Sequence, residues 1–236
     1  METRPLILSL AFGLTTALAV GLFYVAARRS GRTLGVLLVW LLLQGVVGLS
    51  GFYTVTSSQP PRLPLLLGPP LLLVAVLFFT ARGRHFLDGL RLEILTLLHL
   101  VRIPVELVLF GLFLHGAVPR LMTFEGRNWD ILVGLTAPMV YYLTFGKKQL
   151  GPRGLLIWNI LGLVSLLNIV VNALLSAPTP LQQFAFEQPN VAILHFPFVW
   201  LPACVVPVVL LAHLAAIRQL VARPAPALDG VALAAR

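Results

Sequence analysis

Residues 92–119 read LEILTLLHLVRIPVELVLFGLFLHGAVP, an apolar run long enough to cross a bilayer that nevertheless holds His99, Arg102, Glu106 and His115. A spanning helix places Arg102 and Glu106 near its middle, where an unpaired charge costs about 2.5 to 3.5 kcal/mol on insertion scales. Both charges need partners. Spacings of three and then four set His99, Arg102 and Glu106 on one stripe, so Arg102 and Glu106 are expected to pair within their own helix. Pro104 between them frees the carbonyl near Leu100.

Working outward, the whole chain has the same character. Of 236 residues, 58% are hydrophobic and 11% charged, with a mean hydropathy of +0.95, whereas a soluble domain carries about a quarter charged residues. A hydrocarbon core of about 30 Å takes about 20 apolar residues per helical crossing. Such runs recur at 5–26, 34–55, 63–79, 92–119, 129–145, 155–175 and 191–217. The expectation is an all-α polytopic membrane protein, a seven-helix bundle.

Basic residues support the count, because cytoplasmic flanks of membrane proteins are enriched in Lys and Arg. Alternate flanks hold Arg28, Arg29 and Arg32, then Arg82, Arg84 and Arg91, then Lys147, Lys148 and Arg153, then Arg218, Arg223 and Arg236. The intervening flanks hold Arg4, Arg62, Arg120 and Arg127. Twelve stand against four, with Arg102 alone inside a crossing. An odd number of crossings preserves this alternation and puts the N-terminus outside and the C-terminus in the cytoplasm. The formal charge of +9 is then mostly a topology signal. Nucleic-acid binding is not expected, since no soluble module gathers the basic residues.

The first apolar run exceeds the 7 to 15 residues of a signal-peptide core and its positive cluster follows it, so it reads as an anchor. No hydrophilic segment is long enough for a separate core; residues 1–220 read as one membrane domain and 221–236 as a fraying tail. Cys204 stands alone, which rules out an intramolecular disulfide. Fifteen Arg against two Lys, with abundant Ala, Leu and Pro, suggest a GC-rich bacterial genome and hence the inner (plasma) membrane. Gly13, Ala17 and Gly21, and Gly45, Gly48 and Gly51, are expected where helices touch. The segment 176–190 reads as an interfacial stretch on the outer face, or simply a connection.

Candidate chemistry centres on the fourth crossing. His99 and His213 fall at matched depth, as do His115 and His195. A bis-histidine heme or a metal on His99 and His213 is geometrically open if those helices are neighbours. The 16 and 18 residues between histidines on each helix, about 24 and 27 Å, leave the outer pair near the headgroups. On the sixth crossing Ser165, Asn168 and Asn172 share a face, and Asn168 reads as the third partner of Arg102 and Glu106. Gln44, Tyr141 and Tyr142 are further polar candidates. Between the fourth and fifth crossings, Glu125, Arg127, Asn128 and Asp130 form a polar cluster, readable as a ligand-binding mouth or as a cap, with Asn128 as N-cap and Asp130 facing the helix dipole.

Several activities are excluded by motif. Both lysines lie in one loop, so no retinal Schiff base forms on the last helix; there is no His-Glu-x-x-His protease motif, phosphate-cradling Gly-rich loop or Cys-based metal motif. No catalytic residue is assigned. Three readings remain: binding or permeation of a small or lipophilic solute at an intramembrane pocket around Arg102 and Glu106, linked to protons; a heme or metal redox protein using His99 and His213; and a structural subunit whose polar pairs serve packing.

Overall fold

A computed structural model describes residues 6–58 and 61–222. Pro5, at the start of the first predicted crossing, and residues 223–236 of the predicted tail lie outside the described residues. Every regular element among the described residues is helical. In chain order they are α1 (Leu6–Ala26), α2 (Gly31–Leu49), α3 (Leu63–Phe79), α4 (Ala81–Gly89), α5 (Leu92–Leu98), α6 (Arg102–Leu114), α7 (Asp130–Tyr141), α8 (Pro152–Ser176) and α9 (Val206–Ala222).

Five stretches are long and apolar enough to cross a membrane: α1, α2, Leu92–Leu114, α8 and Leu201–Ala222. α3 and α4 meet at a bend of 95° and together count as a sixth at most. The fifth expected crossing is the short apolar helix Asp130–Gly146, whose last turn, Tyr142–Gly146, is a π turn. Leu6, Ile7, Leu10 and Leu14 of α1 and Val39, Leu42, Leu43 and Val46 of α2 point outward, all at least 52% exposed. These are the proportions of a helical membrane protein.

Boundaries move where proline and glycine act. The second expected crossing stops at Leu49, since Gly51 takes φ +72° and turns the chain into a 3₁₀ turn at Phe52–Thr54. The fourth ends at Leu114 rather than 119, with Gly116 at φ +71°. Within it, the backbone tightens into a 3₁₀ turn at His99–Val101, immediately ahead of Pro104. The last begins at Leu201, not 191, as a π turn, and runs on to Ala222, so residues 221–222 are helical rather than tail.

Two ends of the bundle are tied separately. At one, Arg28 donates through Nε to the Gly89 carbonyl at 2.8 Å, Gln219 donates to the Leu87 and Leu90 carbonyls at 2.8 and 2.9 Å, and Arg218 grips Asp88 through two bonds of 2.9 Å. At the other, the Ala117 carbonyl receives the Val191 and Ala192 amides, and Gln188 donates to the Phe113 and Val118 carbonyls. The segment 176–190 is therefore laced to the α6–α7 connection by hydrogen bonds.

α2 is held by a reciprocal indole clamp: Trp40 Nε1 donates to the Ala203 carbonyl at 2.8 Å and Trp200 Nε1 to the Leu41 carbonyl at 2.9 Å. Pro207 cannot donate to Ala203 four residues earlier, and Trp40 supplies that bond. Gly45 and Gly48 make the approach possible, since a Cβ on Gly48 would lie 2.9 Å from Val199. The other small-residue stripe behaves differently. A Cβ on Gly13 or Gly21 would meet nothing within 4 Å, and Ala17 and Gly21 are exposed; α1 packs instead through Phe12, Thr16, Ala19 and Phe23. Gly48→Ala should cost about 1 to 3 kcal/mol, the usual result of overpacking, while Gly13→Ala and Gly21→Ala should be neutral or stabilising by up to about 1 kcal/mol, as read from thermal unfolding in detergent.

Candidate functional site

His99, Arg102 and Glu106 do lie on one buried stripe, none more than 3% exposed. Their partners come from other elements. Arg102 Nη1 stands 3.2 Å from Asp130 Oδ1, an ion pair shielded from solvent. Arg102 Nη2 donates to the Gly162 carbonyl at 3.3 Å and lies 3.1 Å from His213 Nε2. Arginine offers only donors, so His213 Nε2 accepts; the ring proton then sits on Nδ1 and is donated to Asn159 Oδ1 at 3.0 Å. Asn159 in turn donates to the Leu155 carbonyl.

The expected pairing of Arg102 with Glu106 is thus corrected: the cation belongs to Asp130. Two glycines decide this. A Cβ on Gly134 would sit 2.9 Å from Ile103 and 3.3 Å from the Arg102 Cβ, so glycine here lets α7 rest against the start of α6. Asp130 is one turn earlier on α7, and this approach carries its short side chain to the guanidinium. On α8, a Cβ at Gly162 would meet the His213 ring at 2.5 Å, so only glycine leaves room for the imidazole beside Arg102. Asp130 is also placed in the first turn of α7, where a carboxylate complements the helix dipole, and Ser165 donates to it at 2.6 Å.

Glu106 receives Asn128. The Asn128 amide donates to Glu106 Oε1 and, at 3.0 Å, to the Met122 carbonyl, while its oxygen accepts the Asp130 amide at 3.2 Å. Trp129 occupies the N-cap position, so Asn128 serves the helix start from one residue further out. Glu106 Oε2 is buried with no hydrogen-bond partner. Glu106 lines a cavity of about 80 Å³ together with Asn128, Asp130, Met122, Leu166 and Leu201, large enough to hold water.

The polar cluster of the α6–α7 connection therefore splits. Asn128 and Asp130 are interior, at 1% and 5% exposed. Glu125 stays at the surface, 3.7 Å from Arg120, and Arg127 is exposed, its backbone carbonyl accepting from Asn168 at 2.9 Å. Asn168 is itself exposed and does not reach Arg102 or Glu106. The shared face of Ser165, Asn168 and Asn172 is real, but it docks the loop: Ser165 holds Asp130, Asn168 holds Arg127, and Asn172 bonds Asn168. Gln44 accepts from Tyr53 at 2.7 Å, away from the site.

His99 and His213 do meet. Their rings stack at 3.8 Å between centroids, 21° from parallel, with Trp158 edge-on to His99 at 5.3 Å. This geometry does not fit a bis-histidine heme, whose axial imidazoles bind from opposite faces of the macrocycle; here the rings touch, and both His213 nitrogens are committed to Arg102 and Asn159. Among the described residues no group of three or more His, Cys, Asp or Glu side chains converges as metal ligands. His115 is exposed, its Nδ1 2.8 Å from the Gly111 carbonyl, and His195 is half-buried. Sequence reasoning passed over Gly134, Gly162 and Trp158, and did not join Asn159 to His213 or Asp130 to Arg102.

Removing one member of a buried ion pair strands the other and costs about 3 to 5 kcal/mol, whereas replacing both with apolar groups is often neutral. Arg102→Leu and Asp130→Leu alone should each lower the unfolding temperature in detergent sharply. The double variant should recover most of the loss, and Arg102→Leu with Glu106→Leu should not.

No curated protein and no solved structure matches the chain. The chain matches a family model described as Domain of unknown function (DUF8737) over residues 60–221, which take in α3 to α9. The match takes in every residue of the Arg102 and Glu106 constellation and over half of the chain, and the protein belongs to this family.

Proposed function

We propose that this is a seven-crossing protein of the bacterial plasma membrane, N-terminus outside and C-terminus cytoplasmic, that binds or passes a small solute in a proton-linked manner at the cavity beside Glu106. The observation that carries this reading is Glu106, a residue that lines the 80 Å³ space and whose Oε2 is buried and unpartnered. Ionisable groups within membrane spans are rare and mark ion and proton pathways. The charges sharpen the role. Arg102 is matched by Asp130, so with the imidazoles neutral the buried set is neutral overall when Glu106 carries a proton and has one negative charge when it does not.

Size narrows the occupant. Pockets for drug-sized ligands run to about 300 to 1,000 Å³, far above this cavity, so the occupant favoured beside Glu106 is a proton, water or another small species. The orientation rests on the basic end: ten Lys and Arg of the described residues flank it, against Arg62, Arg120 and Arg127 at the other.

In liposomes carrying an internal pH-sensitive dye, the wild-type protein should pass protons down an imposed gradient, and Glu106→Gln should return the rate to that of protein-free vesicles with unfolding temperature retained. In pH-difference infrared spectra the same change should remove the protonated-carboxyl band. Flux and band both unchanged in Glu106→Gln would overturn Glu106 as the coupling group and leave the constellation with a packing role alone. For orientation, an impermeant maleimide should label Gln183→Cys in intact cells and Lys148→Cys only after permeabilisation; the reverse pattern would invert the topology.

A further inference from the structure

A second cavity, separate from the Glu106 site, lies at the basic end. Its volume is about 330 Å³, four times that of the first and within the range of ligand pockets. α2 and α3 both lean on the Leu201–Val205 π turn, and the space between them is walled by Trp40, Val36, Pro70, Leu73, Cys204 and Val208. Arg32 to Trp40 on α2 and Pro69 to Leu77 on α3 each supply eight residue steps of its wall, so the space runs about 12 Å along the helices. Val36 and Leu73 are 54% and 50% exposed, which places the opening sideways, between two outward-facing apolar helices.

Polarity is confined to one end. Arg32 and Thr33, in the first turn of α2, border the cavity, with Arg28 and Arg29 on the preceding turn. The Arg32 side chain is exposed and makes no hydrogen bond or ion pair among the described residues. Deeper in, the Trp40 indole N–H is spent on the Ala203 carbonyl, so the wall offers nothing polar to a ligand. A slot open to lipid, apolar along its length, with one unpartnered cation at its mouth, has the polarity of a phospholipid.

We propose that this slot is a binding site for an anionic phospholipid, one acyl chain lying between α2 and α3 against Trp40 and the phosphate held by Arg32. A zwitterionic lipid also fills the slot with its chain but gains less from Arg32. The chain also explains why the slot is neither closed by α3 nor filled with side chains: Pro69 and Pro70 take that place on α3, and the volume they leave is filled from the bilayer.

The test uses full-length protein in vesicles with Trp129, Trp158 and Trp200 changed to Phe, so that Trp40 alone reports. Vesicles contain brominated-chain phosphatidylglycerol or brominated-chain phosphatidylcholine at the same mole fraction. Quenching should show a preference of about fivefold for phosphatidylglycerol, the effect of one Lys or Arg at an anionic headgroup. Arg32→Gln should abolish the preference while leaving quenching by phosphatidylcholine in place, and Arg32→Lys should restore part of it. Should the Trp200→Phe change prevent folding, lipid retention counted by native mass spectrometry on wild type and Arg32→Gln gives the same comparison. Equal quenching by the two lipids, or a preference that survives Arg32→Gln, overturns the proposal. So does quenching that falls as the protein-to-lipid ratio rises, which would put a second copy of the chain in the slot. None of these outcomes bears on Glu106.

Discussion

A single guanidinium buried in an apolar bundle sets the terms for the rest of the structure. Arg102 is 3% exposed and cannot shed its charge in a protein, so carboxylate, carbonyl and imidazole must converge on it. Asp130 comes from α7, the Gly162 carbonyl from α8 and His213 from α9. Each approach demands a missing side chain, and Gly134 and Gly162 provide two of them. The mutual placement of four helices is thereby fixed around one cation. Carbon packing alone, between helices whose surfaces are apolar all round, would leave it less determined.

The same demand for satisfaction explains the path of the α6–α7 connection. Were it only a solvated loop, Asn128 would be at the surface; instead its amide plugs Glu106 and the Met122 carbonyl, and its oxygen takes the first amide of α7. One side chain thus closes three buried polar groups. Its position is secured from outside by the α8 stripe, where Asn168 grips the Arg127 carbonyl and Ser165 grips Asp130. Among the buried atoms still without a hydrogen bond are both His99 ring nitrogens, Arg102 Nε and Glu106 Oε2; of these residues Glu106 lines the void beside it.

Much of this was legible in the sequence. The apolar runs overlap helices, although only five stretches among the described residues are long and apolar enough to cross a membrane, and His99 and His213, matched by counting residues along their helices, do meet. What failed was partnering. Periodicity showed that Arg102 and Glu106 share a stripe, yet neighbours on one helix are only candidates, and a tertiary carboxylate outcompeted the local one. Asn168 turns outward to the Arg127 carbonyl, since counting residues along a helix says nothing about its rotation. Gly13, Ala17 and Gly21 recur at the interval of a packing motif, but their face turns outward, while Gly134 and Gly162, which lie in no motif, hold the site together. Their signal was available only as isolated glycines within spans, at places where a polar side chain one turn away needed to reach across.

The order of groups along the stripe bears on mechanism. His99 is one turn from Arg102 toward the basic end and Glu106 one turn toward the other, so the cation separates the acid from the imidazoles. A fixed positive charge in a narrow path opposes the passage of protons and cations. His213 offers no detour, because Nε2 accepts from Arg102 and the Nδ1 proton is held by Asn159. On the proposed reading, then, Glu106 exchanges protons with one side only while Arg102 stays on Asp130 and His213. Transfer across requires the guanidinium to shift, and the charge on Glu106, one turn away, is what biases that shift. On that reading the constellation would act as a gate in which proton binding and ion-pair exchange are linked steps, rather than as an open wire.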